Sequence, residues 1–279
     1  MNLIIKFNNI KNIYGKEYAW AMLFQYLKSK IGIINPILKR KLILSRRLDN
    51  ILKSTVAYGR FKGLKLSKKT WWGAPDKAAM LLGLYEVEIL ESLANVPETH
   101  NIFIDLGAAD GYYGVGVLVA KMFDYSYCFE ITESGQRTIH ENAYNNNVTD
   151  QIKINGIAKI DFYKSIPSKH LDRCVLLVDI EGAEFDIFNE ATFAAFKYSI
   201  IIVELHDWQL VDGDEKLKRF KNLANKYFSI TTLTTRSRDT SCFAELDNYS
   251  DDDRWLICSE GRGRKMNWLR LDPKTALIL

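Results

Sequence analysis

The sequence predicts an α/β fold: a mostly parallel sheet of seven strands with helices on both faces, preceded by a helical extension. Three observations carry this. From Asn101 onward, short apolar runs alternate with amphipathic helical stretches, the pattern of strand–helix–strand units. Two of the runs, RCVLLVDI at 173–180 and YSIIIVELH at 198–206, are apolar enough for strands buried on both faces. The first run, NIFIDLG, ends in a glycine that opens a helix.

The elements follow in order. Residues 1–60 read as a basic helical extension. Between Lys28 and Lys53 the charges are Lys28, Lys30, Lys39, Arg40, Lys41, Arg46, Arg47 and Lys53, opposed only by Asp49. Leu38, Leu42 and Ile43 interleave with them at near-helical spacing, as on a surface that meets a membrane face or an anionic carrier. A solvated helix face explains the same pattern. Residues 61–100 read as a lead-in. There Trp71 and Trp72 precede a Gly73–Pro75 turn, and GLYEVEILESL at 83–93 has helical periodicity. Residues 101–279 form the main domain. Its strands are expected in NIFIDLG, SYCFE at 126–130, QIKINGIA, the two buried runs, 228–233, and RWLICSE at 254–260. Helices are expected from 113, 133, 183 and 213.

Composition sets the outer bounds. At 279 residues, 47% hydrophobic and 26% charged, the chain carries enough apolar material for one sizeable core. A net charge of +4 is a weak argument for an anionic partner. The opening MNLIIKFNNIKNIYG is too polar for a secretory leader, and the stretch from Trp20 to Leu38 is interrupted by Lys28, Lys30 and Pro36, so a cytoplasmic location is expected. Cys128, Cys174, Cys242 and Cys258 lack short zinc-ligand spacing and read as buried reduced thiols.

Four features carry chemistry. Asp105-Leu106-Gly107-Ala108-Ala109-Asp110-Gly111 joins a strand to a helix, so the backbone can approach a ligand closely at the helix N-terminus. Its spacing is DxGxxxG, which is not the dinucleotide pattern. Glu130 ends the next strand, where a carboxylate accepts ribose hydroxyls, and the pair of features points to a nucleoside ligand. The segment Asp179-Ile180-Glu181-Gly182-Ala183-Glu184 follows a buried strand, with a helix cap as its bland explanation. Glu204 and His206 end the next strand on the same side by alternation, and His206 is a candidate general base.

FIDLGAADGYYGVG, HENAYNNNV, LLVDIEGAEFDIF and IIVELH, in that order, resemble methyltransferases of the FkbM type, and RWLICSEGRGRKMNWL resembles relatives that act on polysaccharides. The resemblance spans roughly residues 70–270, with DIEGAE its most specific piece. It implies a Rossmann-like class I methyltransferase, S-adenosylmethionine as methyl donor, and O-methylation, often of a sugar hydroxyl. The donor site is then expected at Asp105, Gly107, Ala108, Gly111, Tyr112, Glu130, Ile131 and Asp179. Catalysis is expected from His206, Asp179, Glu181 and Glu204. The acceptor, a glycan or nucleotide sugar, is expected against Trp71, Trp72, Arg262 and Trp268 at the pocket mouth.

Two arrangements would activate the hydroxyl. His206 can act as base, oriented by a carboxylate, or Asp179, Glu204 and His206 can hold a divalent cation. The first is favoured, with no resident metal, because no short metal-ligand spacing exists. RNA or protein methylation is the rival activity. An aromatic-interleaved basic platform for nucleic acid is absent, as is the N/D-P-P-[YF] motif of amino-methylating enzymes. A non-catalytic nucleoside-binding module is the rival from another class, and the retained carboxylates and His206 argue against it.

Overall fold

The computed structural model describes residues 35–70 and 72–274, with isolated positions before residue 35. Lys28, Lys30 and Trp71, singled out above, lie outside the described residues.

A single sheet of seven strands organises the chain. In chain order these are β1 (Ile102–Leu106), β2 (Tyr125–Phe129), β3 (Ile152–Asn155), β4 (Cys174–Val178), β5 (Ile200–Glu204), β6 (Phe228–Thr234) and β7 (Asn267–Pro273). Their spatial order is β3-β2-β1-β4-β5-β7-β6. β7 runs antiparallel to both β5 and β6, and the other pairings are parallel. The chain leaves β1 in one direction toward β2 and returns on the other side with β4. The loops after β1 and β4 therefore part at the carboxyl edge, where such sheets bind ligands.

From residue 35 onward the described helices are α1 (Pro36–Leu52), α2 (Lys77–Leu81), α3 (Val87–Ala94), α4 (Tyr112–Val119), α5 (Glu133–Asn145), α6 (Glu184–Ile187), α7 (Glu190–Ala195), α8 (Gly213–Ala224) and α9 (Asp251–Cys258). Strand alternation divides the core into two layers. Phe103, Val175, Leu177, Ile200 and Ile202 face a layer built from α3, α4 and residues 56–66. Ile104, Leu106, Leu176, Val178, Ile201 and Val203 face Phe188, Phe193 and Phe220 on the other side. A smaller cluster of Leu44, Leu48, Ala78, Leu82, Phe243, Leu246 and Ile257 fastens α1 and α2 to α9.

Several expectations change. RWLICSE is not a strand: its apolar residues lie in α9, whose N-terminus is capped by Ser250 and carries Asp251, Asp252 and Asp253 in its first turn. The seventh strand is instead β7, in the segment expected to cover the pocket mouth. The helix expected from 183 is two short ones, broken at Phe188 and restarted by an Asn189 cap. Cys242 is exposed while the other three thiols are buried.

The basic stretch is only partly a solvated face. Lys41 is buried on Asp76 at 2.5 Å, and Arg40 pairs with Asp253 at 2.6 Å. Ile43 and Ile51 stay exposed beside Arg46 and Arg47. Among the described residues no helix is long and apolar enough to cross a membrane.

α4 packs on β2 through Gly114, where an added Cβ would lie 2.1 Å from Cys128 Sγ. Gly114→Ala is therefore expected to destabilise the chain by about 1–3 kcal/mol, as overpacking does. Adding Cys128→Ala removes the sulfur it strikes and should restore most of the loss. Urea unfolding of the single and double variants checks this, and additive losses would contradict it.

Candidate active site

The loop after β1 is shaped by its contact with β4. Gly107 has φ +89°, and an added Cβ would come within 1.8 Å of the Asp179 carbonyl oxygen. The Asp179 amide donates to the Leu106 carbonyl at 2.9 Å, so the two strand ends are clamped backbone to backbone. Ala109, also in the left-handed region, donates its amide to Glu130 Oε2 at 3.0 Å. The other oxygen of Glu130 accepts from the amide and the hydroxyl of Thr132, both at 2.8 Å. Thr132 in turn caps α5. One buried carboxylate thus joins the ends of β1 and β2.

Beside it lies a cleft of about 260 Å³, walled by Phe129, Ile157, Ala158 and Ile180, with Glu130 on one side and Asp179 and Glu181 on another. Ile131, 67% exposed, and Trp72, 45% exposed, stand at its rim. Behind Gly107 the cleft meets a small inner chamber of about 40 Å³, lined by Ala108, Tyr112 and five acidic residues: Glu86, Asp105, Asp110, Asp179 and Glu204. Alternation along β1, β4 and β5 aims Asp105, Asp179 and Glu204 to this side of the sheet.

The chamber is small and rich in acids. Burial pushes Glu86 and Glu204 up to about 8, and each is raised further by a neighbouring acid. Burial likewise lifts Asp105 to about 7. Asp179 is raised by its recessed position and then by the charges of Glu86 and Glu181. Tyr113 donates to Glu86 at 2.7 Å. The opposing cation is Arg262, which donates to Glu204 at 2.5 Å, to Glu260 at 2.7 Å and to Glu86. Asp105 Oδ2 and Asp179 Oδ1 are buried without hydrogen-bond partners.

His206 lies beside Asp179, which lines both regions. β5 ends at Glu204, and His206 opens a 3₁₀ turn, so its buried ring swings to α6. Nδ1 lies 2.5 Å from Oε1 of the fully buried Glu184. Nε2 faces the carboxylates, 3.5 Å from Glu181 Oε2 and 3.8 Å from Asp179 Oδ1. Burial opposes a charge on the ring, but the Glu184 hydrogen bond and the surrounding carboxylates outweigh it and raise the His206 pKa. Two groups, Asp179–Glu184–His206 and Glu86–Asp179–Glu204, have ligand atoms close enough together to hold a metal ion.

The structure brings Asp105, Gly107, Ala108, Tyr112, Glu130, Ile131, Asp179, Glu181, Glu204 and His206 to one edge. Gly111, at φ +79°, lies behind the loop against Ile139. Tyr112 faces the inner chamber, packed edge-on against Phe61, Tyr85 and Tyr113, and does not line the outer cleft. Arg262 and Trp268 are not at the mouth. Arg262 is held inside by its three carboxylates, and Trp268, 1% exposed, is a β7 core residue beneath the guanidinium. Glu184 and Glu86 were not singled out as site residues. Glu184 was visible as the last acid of DIEGAE, but Glu86 had no comparable marker, because its role follows from a left-handed turn before α3.

A sheet in this order, with one antiparallel strand and a glycine turn after β1, places the protein in the Rossmann-like α/β class. The model of the methyltransferase FkbM domain matches residues 84–227, more than half of the chain. The chain belongs to the FkbM methyltransferase family and is an S-adenosylmethionine-dependent methyltransferase. Comparison with curated proteins gives no match. Among solved structures, an uncharacterized protein from Listeria monocytogenes serotype 4b is 13% identical, with 68% of each chain covered and a TM-score of 0.44. A protein of the NADB-Rossmann superfamily from Streptococcus agalactiae is 12% identical, with 67% of each chain covered and a TM-score of 0.43. An O-methyltransferase from Bacillus cereus, in complex with SAH, is 11% identical, with 90% of this chain and 97% of its own covered and a TM-score of 0.43.

Replacing Arg262 by Met leaves buried carboxylates without their cation and is expected to cost about 3–5 kcal/mol. Combining it with Glu204→Gln should recover part of that loss, because one of the stranded charges is then gone. A double-mutant cycle by urea unfolding measures this coupling, and strict additivity would show that the Arg262–Glu204 contact contributes nothing.

Proposed function

We propose that the protein methylates a hydroxyl oxygen of a sugar, in a polysaccharide or a related glycan or natural product, with His206 as general base. The observation that carries this reading is the Glu184–His206 pair. A buried carboxylate 2.5 Å from Nδ1 fixes the ring and leaves Nε2 turned to Glu181 and Asp179, two carboxylates of the cleft wall. A neutral sugar hydroxyl is a poor nucleophile and needs such a base.

The residues fit the donor. Glu130, at the end of β2, lines the cleft and keeps lone pairs that ribose hydroxyls can use, and the apolar walls suit an adenine ring. Asp105 Oδ2 and Asp179 Oδ1, buried and unpartnered, suit the donor's cationic end. When bound, S-adenosylmethionine supplies an electrophilic methyl group on a sulfonium. His206 Nε2 takes the hydroxyl proton as the oxygen–methyl bond forms and the sulfur–methyl bond breaks with the thioether as leaving group, and Glu184 balances the imidazolium that results. Asp179 and Glu181, beside Nε2, orient the acceptor and strengthen the base. Trp72, at the rim, offers an aromatic face to a sugar ring. The exposed side of α1, with Arg46, Arg47, Ile43 and Ile51, is suited to a membrane surface or an anionic carrier of the acceptor.

Donor affinity is expected to rise with pH. Binding a cation favours the ionised forms of Asp105, Glu86 and Glu204, which hold protons up to about 7 and about 8 in the free protein. Isothermal titration with S-adenosylmethionine between about pH 6 and about pH 9 should show proton release along with this rise. In the same assay Glu130→Ala should lose affinity by about 1.5–3 kcal/mol. A flat pH dependence, or a Glu130→Ala variant that binds like the parent, would remove these groups from the donor site.

His206→Ala is expected to keep fold and donor binding and to lose about 10²–10⁴ in kcat. The acid limb of the rate profile should lie above the ordinary imidazole range, since the base works only when neutral and its pKa is raised. Glu184→Gln removes the carboxylate that stabilises the imidazolium, so this limb should move to lower pH while kcat falls. A chelator-sensitive rate that depends on added Mg²⁺ or Mn²⁺ would replace the base by a metal on Asp179 and His206.

A further inference from the structure

Another pocket opens at the same edge of the sheet, beside the candidate base. It measures about 200 Å³ and is lined by Trp208, Lys221, Arg264 and Lys265, with Asp207 the only carboxylate on its wall. The elements that form it are the end of β5, the start of β7, β6 and α8. Nothing in the donor site or the Glu184–His206 pair uses it.

Its cations differ from their neighbours. Arg238 is held by Glu88 and Glu260, Arg262 by three carboxylates, and Arg270 by Asp272. Among the described residues, Lys221, Arg264 and Lys265 make no ion pair. The Arg264 guanidinium lies 4.9 Å from the centre of the Trp208 ring, which gives its fork a platform. The Trp208 indole N–H is buried and lacks an acceptor, a state that costs free energy until an oxygen arrives. Three cations lining one small pocket, one of them over a tryptophan whose N–H is unspent, are the recognition set for an oxyanion. The Trp208 ring is 6.3 Å from the His206 ring, so an anion held here is tethered a short span from Nε2.

We infer that this pocket binds the anionic group of an acidic acceptor, a phosphate or a sugar carboxylate, and so selects which hydroxyl reaches His206. The inference rests on the methyl-transfer reading and extends it to the charge of the acceptor. A neutral glycan would leave the three cations and the indole N–H without use.

The test is isothermal titration of the full chain with inorganic pyrophosphate, with glucuronate, and with glucose as the neutral control. One or both anions should bind, more weakly as salt is added, and glucose should give no heat. Lys221→Ala/Arg264→Ala, which changes side chains outside the core, should weaken that binding about tenfold or more. Trp208→Phe keeps the ring and removes the N–H, and should weaken it by a smaller factor. Pyrophosphate binding alone identifies a phosphate-bearing acceptor, and glucuronate binding alone a carboxylated one. If neither anion binds, or if the double variant binds both as the parent does, the inference is overturned. S-adenosylmethionine titrated into the same proteins tests the donor reading separately. Its affinity should be the same in parent and variants, and a parent that fails to bind it counts against the proposed function instead of the anion pocket.

Discussion

The site depends on one guanidinium. Arg262 reaches Glu86 before α3, Glu204 at the end of β5 and Glu260 in its own loop, three carboxylates from three separate segments. Two of these acids are almost completely buried and would be costly to enclose without a cation behind them. Arg238 extends the arrangement by pairing with Glu88 of α3 and with Glu260. The result is a line of alternating charges that fastens the lead-in to the carboxyl edge of the sheet. Several acids can then share one small chamber, where burial first, and their neighbours' charges second, keep protons on Glu86, Asp105, Asp179 and Glu204.

Asp179 couples the two halves of the site. Its carboxyl group belongs to the acid chamber with Glu86 and Glu204, and its Oδ1 also lies 3.8 Å from His206 Nε2. A cation entering the chamber would therefore change the field at the imidazole. The backbone of the same residue touches Gly107 so closely that a side chain there has no room. The position of the glycine loop and the environment of the candidate base are set by the same end of β4.

Much of the fold was legible in the sequence because buried parallel strands are written as uninterrupted apolar runs. CVLLV and IIIVE are strands, they are neighbours, and the polar residues that end them do converge. The error at 254–260 has a simple cause: WLIC suits a strand or a buried helix equally, and composition does not separate them. The better indicator was Ser250 followed by three aspartates, a helix start. The inward position of Arg262 is not legible because two of its three partners stand 58 and 176 residues away, and no local pattern reports such a contact. His206 and Glu204 both stand close to Asp179, but strict alternation stops with β5, and the turn that follows is what delivers the ring to Glu184.

The position of β7 bears on how the chain is made. β5 and β6 are not paired with each other; β7 lies between them, bonded to both, though it comes 33 residues after the end of β6 by its own register partner Thr234↔Asn267. While a ribosome is still adding residues up to Met266, two strand edges stand open, and the indole of Trp268 and the side chain of Leu269 are missing from the two layers they complete. A nascent chain in that state is a template for stray pairing with other chains. Closure waits for a strand that follows both of its neighbours in the chain, so the arrival of β7 is the step that covers those edges.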